Sequence, residues 1–183
     1  MANNVTTIIT IPSENPQVVD KLNQMFGEDL SEPKDFYKAI YDQDIPEDAE
    51  EYMEDIGAKW CYMENADISD YNSSIVIVSA WDFPEETFKR IYSIISNIEP
   101  NITISCTYID EAYCFIGAAA FGPSGFNFLQ QDSIDPYPDE DELSQEEYDQ
   151  AVEEWDENLD EELSMLLKTC IKSSNKTKKK NRK

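Results

Sequence analysis

The chain contains no histidine, only 5 glycines, and no run of about 18 apolar residues. Each lack excludes a class of function. Without an imidazole there is no Ser-His catalysis, and the four cysteines, Cys61, Cys106, Cys114 and Cys170, form no CxxC pair that could begin a zinc site. No cysteine has an activating base beside it in sequence. The segment nearest to a glycine-rich phosphate loop, Gly117-Ala118-Ala119-Ala120-Phe121-Gly122, lacks a basic residue and a following helix cap. The absence of a long apolar run and of a charged-then-apolar start leads us to expect neither a membrane span nor a signal peptide, and so a cytoplasmic protein. In that reducing compartment Cys106 and Cys114, which flank an expected hairpin, are read as two buried thiols rather than a disulfide.

Positive charge is also scarce, and it is unevenly placed. The chain has 39 acidic and 14 basic residues, a formal charge of −25. Sixteen of the acids, and no Lys or Arg, lie between Asp132 and Glu162; eight of the bases, and no acid, lie between Lys168 and Lys183. The remaining body, residues 1–131, is itself acidic, with six bases only: Lys21, Lys34, Lys38, Lys59, Lys89 and Arg90. A surface of this sign is repelled by nucleic-acid phosphates and anionic membranes, so the body is expected to bind neither directly, and its natural partner is a basic protein surface. Carboxylates are too abundant for any adjacent pair to mark acid–base catalysis. Asp139–Glu142 and Asp42–Asp55 lack the glycine and spacing of a calcium loop. No catalytic residue, metal ligand or cofactor is therefore assigned.

The body reads as a β–α–β–β–α–β–β series. Val5–Ile11 is β-branched almost throughout and is expected to be a central strand, apolar on both faces. Asn15-Pro16 offers a cap and a first-turn proline to a helix that presents Val18, Val19, Leu22, Met25 and Phe26 on one side. Residues 31–56 form one or two short helices with Phe36, Ile40, Tyr52, Met53 and Ile56 inward. Trp60–Ile68 and Ser74–Trp81 are strands, and Asp82 with Glu85 has the spacing of a capping box for the next helix. Ile102–Ile109 and Tyr113–Phe121 form a hairpin, and the small residues Gly117–Ala120 imply that another segment packs closely over them. Gly122–Asp141 is turn-rich and reads as a linker. The expected organisation is a domain over 1–131, an acidic linker over 132–143, an amphipathic helix over 144–172 and a disordered basic tail over 173–183. The helix opens on a Ser144/Glu147 capping box and carries an apolar stripe of Tyr148, Val152, Trp155, Leu159, Leu163, Leu166 and Cys170, which either packs on the open face of the sheet or stays exposed as a partner or dimer seam.

Three phrases in this order, Gly57-Ala58-Lys59-Trp60, Ala80-Trp81-Asp82-Phe83-Pro84 at a strand-to-helix corner, and Phe115-Ile116-Gly117 in the last strand of the hairpin, resemble the YubB/Api-type ferredoxin-like family of plasmid and bacteriophage proteins. The resemblance covers roughly residues 1–122. It implies an α+β fold, a ferredoxin-like antiparallel sheet with helices on one face, and a phage or mobile-element origin; it implies no activity. Gly57, Lys59, Trp60, Ala80, Trp81, Pro84 and Gly117 carry it. Both tryptophans stand at element ends, where a large ring caps a core, and are read as structural.

The expected function is that of a non-enzymatic acidic interaction protein. Glu146, Glu147, Glu153, Glu154, Glu157 and Trp155 on the C-terminal helix are the candidate partner-binding residues. Two alternatives stay open: mimicry of nucleic acid by the carboxylates of a rigid helix, which would block a DNA- or RNA-binding protein, and a small enzyme.

Overall fold

The structure, a computed structural model, describes residues 3–132, 134, 136–139 and 143–176. Its elements run β1 (Asn4–Ile11), α1 (Pro16–Phe26), α2 (Pro33–Tyr41), α3 (Ala49–Ile56), β2 (Cys61–Asp67), β3 (Ser73–Ala80), α4 (Glu85–Ser96), β4 (Ile104–Asp110), β5 (Ile116–Gly122), β6 (Gly125–Gln131) and α5 (Gln145–Ser174). The strands form one antiparallel sheet in the order β2-β3-β1-β4-β5-β6. The fold is thus α+β. Among the described residues no helix is long and apolar enough to cross a membrane.

Local chemistry sets most boundaries. The Asn15 side chain accepts the Gln17 N–H at the start of α1, and the Asp48 carboxylate accepts from Glu50 and Glu51 at the start of α3. Helix α3 stops at Gly57, whose φ of 82° suits glycine; a Cβ there would stand 3.0 Å from the backbone nitrogens of Glu85 and Glu86, where α4 begins. Helix α4 corrects the sequence reading. Its cap position is Pro84, and the Asp82 carboxylate instead accepts the Phe83 N–H. Phe83 precedes a proline, which disfavours the helical region there and with it a helix capped by Asp82.

One face of the sheet carries α1 to α4. Val5, Ile9 and Ile11 of β1, Ile75 and Ile77 of β3, and Cys106 and Tyr108 of β4 share a single core with Val18, Leu22, Phe36, Ile40, Ile56, Phe88 and Ile91. β1 is central as expected, but it is not apolar-buried on both faces: Thr6 and Ile8 point outward and are exposed. Met53, expected inward, is exposed as well, since it lies on the solvent side of α3. Cys61, Cys106 and Cys170 are buried and Cys114 is exposed, all four as free thiols. Cys114 therefore departs from the buried pair expected, because its turn is held down by the buried Asp110, which accepts the N–H groups of Ala112 and Cys114 and leaves the side chain outside.

The second face carries α5, while the body helices keep to the first. Ala118, Ala120 and Ile116 of β5 point away from the main core and meet Cys170, Trp155, Leu159 and Leu163 of α5. Small side chains permit this approach: the Cys170 thiol reaches the Ala118 carbonyl at 3.3 Å, and the Ser174 hydroxyl donates to the Ala120 carbonyl at 2.9 Å. Gly117 faces the other way, where a Cβ would lie 2.0 Å from the Tyr108 hydroxyl. The expected linker from Gly122 contains a strand. Pro123 and Ser124 form only a two-residue turn, and β6 follows, with Phe126 and Phe128 continuing an aromatic stack that includes Phe83 and Tyr108. β6 has no β-branched residue and lies among turn formers, so its sequence signal is weak.

Candidate partner interface

Helix α5 carries ten carboxylates between Glu146 and Glu162, and its local sequence explains how it presents them. Ser144 and Glu147 form the reciprocal capping box, with the Glu147 carboxylate accepting from the Ser144 N–H at 3.1 Å and from its hydroxyl at 2.6 Å. Those hydrogen bonds hold the Glu147 carboxyl below its usual range. Acids crowd the first turns and Lys172 lies in the last, which matches the helix dipole at both ends. From this anchored start the apolar stripe turns inward. Trp155 is only 8% exposed and packs edge-on against Tyr113 at 4.7 Å and Tyr137 at 5.0 Å.

The six residues expected to meet a partner therefore separate into three roles. Glu146, Glu153, Glu154 and Glu157 are exposed, and no cation among the described residues pairs with them. Glu147 is also exposed, but its carboxylate is occupied as the helix cap. Trp155 belongs to the contact between α5 and the body. Helical periodicity sets Glu146, Glu153 and Glu157 on the flank opposite Glu162, whose carboxylate accepts from the Gln131 side chain of β6 at 3.1 Å. The described part of the expected disordered tail, residues 173–176, continues the helix to Ser174; residues 177–183 lie outside the described residues.

The residues of the family phrases gather near the β3–α4 corner, Gly117 excepted. Gly57 ends α3 against the start of α4, Ala80 is buried and donates its N–H to the Trp60 carbonyl, and Pro84 caps α4. Trp60 is partly buried and stacks on Tyr62 with ring centroids 5.7 Å apart. Trp81 differs from the reading of it as a core cap. It is 54% exposed, at a φ of 72° that a bulky residue seldom adopts, with the Lys59 ammonium 4.3 Å from its ring centre. The backbone explains this, since Trp81 N–H donates to the Asn3 carbonyl while the chain turns from β3 to Phe83, and the left-handed step throws the indole outward. Lys59 thus lies over that ring.

Comparison with known proteins finds no matching family model, no matching curated protein and no matching solved structure.

Proposed function

We propose that this is a non-enzymatic interaction protein whose acidic α5 flank docks on a basic protein surface. The observation that carries the reading is the row Glu146, Glu153 and Glu157: exposed, without cations among the described residues, and set on a helix that the body holds through Trp155, Leu159, Leu163 and Cys170. Carboxylates fixed in this way cost little ordering on binding and steer a cationic partner over a distance of about 10 Å. The fold reading we attach to it is ferredoxin-like, supported by the β-α-β-β-α-β connectivity of the first four strands, counting α1–α3 as the first crossover, with the order β2-β3-β1-β4. That reading and the three sequence phrases support a phage or mobile-element origin.

The test is affinity capture from host lysate with the intact chain and with a Glu146→Gln/Glu153→Gln/Glu157→Gln variant. Glu147 is kept because it caps the helix. The expected result is a basic protein retained at low salt, released as salt rises, and lost from the variant while its circular dichroism shows the fold retained. Capture that is insensitive to salt, or direct binding of the purified chain to DNA or RNA, overturns the reading. Competition between the chain and nucleic acid for the captured partner would establish the mimicry form of it.

A further inference from the structure

β6 is the outermost strand on its side of the sheet, and among the described residues no strand lies against its free edge. A free edge presents a row of unmatched N–H and C=O groups, which folds commonly guard with charges, bulges or a covering segment. The opposite edge is guarded. β2 carries Glu64 and Asp67, shifts register between Met63 and Asn65, and donates the Met63 N–H to the Leu30 carbonyl. β6 has none of these devices. Its sequence, Gly125-Phe-Asn-Phe-Leu-Gln-Gln131, is uncharged in a chain where 29% of residues are charged, and it pairs with β5 in unbroken register. Phe128 and Leu129, at its middle, are 40% and 37% exposed.

The helix beside this edge is charged oppositely at its two ends. Glu162 meets Gln131 at the end of β6, and Asn127, near its start, donates to the Ser174 hydroxyl at 3.0 Å, so α5 runs antiparallel to β6. Glu154 stands about two turns before Glu162. Lys172 and Lys176 flank Ser174, and five more bases follow in sequence from Lys178 to Lys183.

We propose that β6 pairs antiparallel with β6 of a second copy of this chain, about a two-fold axis through Phe128, joining the two sheets into one. The register sets Gly125 against Gln131, Phe126 against Gln130 and Asn127 against Leu129, a self-complementary contact. Because α5 is antiparallel to β6 in each copy, the two α5 helices lie side by side and antiparallel on the same face. Lys176, whose carbonyl accepts from the Ser124 hydroxyl at the start of β6, is set level with Glu162 of the other copy, which meets Gln131 at the end of β6, and this unlike pair forms twice. Helices seated over the β5 strands of two paired copies stand three strand spacings apart, about 14 Å, a gap that Glu and Lys side chains span from both sides. The −25 charge on each copy opposes association at long range. The seam itself is neutral, and only the antiparallel arrangement places unlike charges opposite. An extended peptide from another protein would gain the main-chain hydrogen bonds without this doubled pairing, which is why a second copy is the better fit. Glu146, Glu153 and Glu157 stay on the far flank of α5.

Sedimentation equilibrium of the intact chain tests the proposal. The expected mass is twice 21.1 kDa. A Leu129→Lys/Gln130→Lys variant, which places like charges along the seam at two exposed positions, should raise the dissociation constant at least roughly tenfold while its circular dichroism shows the fold retained. Orientation is tested by a charge exchange. Lys176→Glu and Glu162→Lys should each weaken self-association, and mixing the two should yield a heterodimer, a result that a change of net charge alone does not give. A parent chain that stays monomeric at every concentration reached, a Leu129→Lys/Gln130→Lys variant that dimerises as the parent does, or a monomer that instead binds an extended peptide along β6 overturns the proposal; charge-exchange variants that fail to prefer one another overturn the two-fold orientation.

Discussion

At the scale of single residues, exposure and backbone conformation separate positions that look alike in sequence. Trp81 and Gly117 both lie in the phrases that resemble a known family, yet they should respond to substitution in opposite ways. Trp81 is more than half exposed at a strained φ, so Trp81→Ala should cost less than about 1 kcal/mol, and Trp81→Gly, which relieves the φ of 72°, less still. Gly117→Ala should cost on the order of 1–3 kcal/mol, because the new Cβ would fall 2.0 Å from the Tyr108 hydroxyl and 2.6 Å from the Leu129 carbonyl. Chemical denaturation of the three variants checks this. A Trp81→Ala variant as destabilised as Gly117→Ala would restore the indole to the core. Sequence alone does not make the distinction, since a tryptophan after a buried strand ordinarily turns inward, and only the left-handed step at the corner reverses it.

At the scale of elements, the signals that were legible are the periodic ones with caps. α5 was readable from its Ser144/Glu147 box and apolar stripe, and its docking was foreshadowed by Gly117–Ala120, whose small side chains let the helix approach β5. β6 was not legible, because it alternates Phe with Asn and Gln directly after Pro123-Ser124, and its existence depends on β5 already being in place. The α2–α3 pair was legible only coarsely, since its tyrosines act through tertiary contacts. The Tyr37 hydroxyl donates to the Asp55 carboxylate, the Tyr41 hydroxyl to the Asp55 backbone carbonyl, and the rings of Tyr37 and Tyr41 stack at 4.5 Å. Burial pushes Tyr41 and Tyr52 up to about 12 from the ordinary value of 10. The folded chain keeps these protons where the unfolded chain releases them, so their stabilisation is complete below pH 10 and is lost as the pH climbs towards 12. The buried thiols of Cys61 and Cys106, also raised by burial, act in the same direction from about pH 9 upward. The melting temperature should therefore fall between about pH 9 and 12, and tyrosinate absorbance should lag behind that of a denatured control. A melting temperature that stays level across this window would mean that the α2–α3 tyrosines are open to solvent.

For the whole molecule, charge and fold pull against each other. The body, the acidic linker and helix, and the basic tail were separable by composition alone, but composition did not show that the acidic helix lies on the sheet, bringing its carboxylates to a body that is already negative. Among the described residues the salt bridges are confined to Lys38 with Asp44 and Lys89 with Glu85 and Glu86, all at least partly exposed. Pairs of this kind contribute little, about 0–1 kcal/mol each, whereas a charge of −25 repels itself throughout the compact state. At low ionic strength the screening length of about 30 Å lets carboxylates across the molecule act on one another; at 0.1 M it shrinks to about 10 Å. The repulsion therefore weakens sooner than the few attractive contacts, which are short. Added sodium chloride should raise the melting temperature, by about 2–4 °C for each kcal/mol of repulsion removed from a chain of this size, and most of the rise should come below roughly 0.2 M. Glu146→Gln/Glu153→Gln/Glu157→Gln, which removes three charges from the exposed flank of α5, should melt higher than the parent at low salt and converge with it at high salt. A melting temperature that falls on adding salt would show instead that attractive pairs govern stability, and would place them between the acidic helix and the basic residues that follow it.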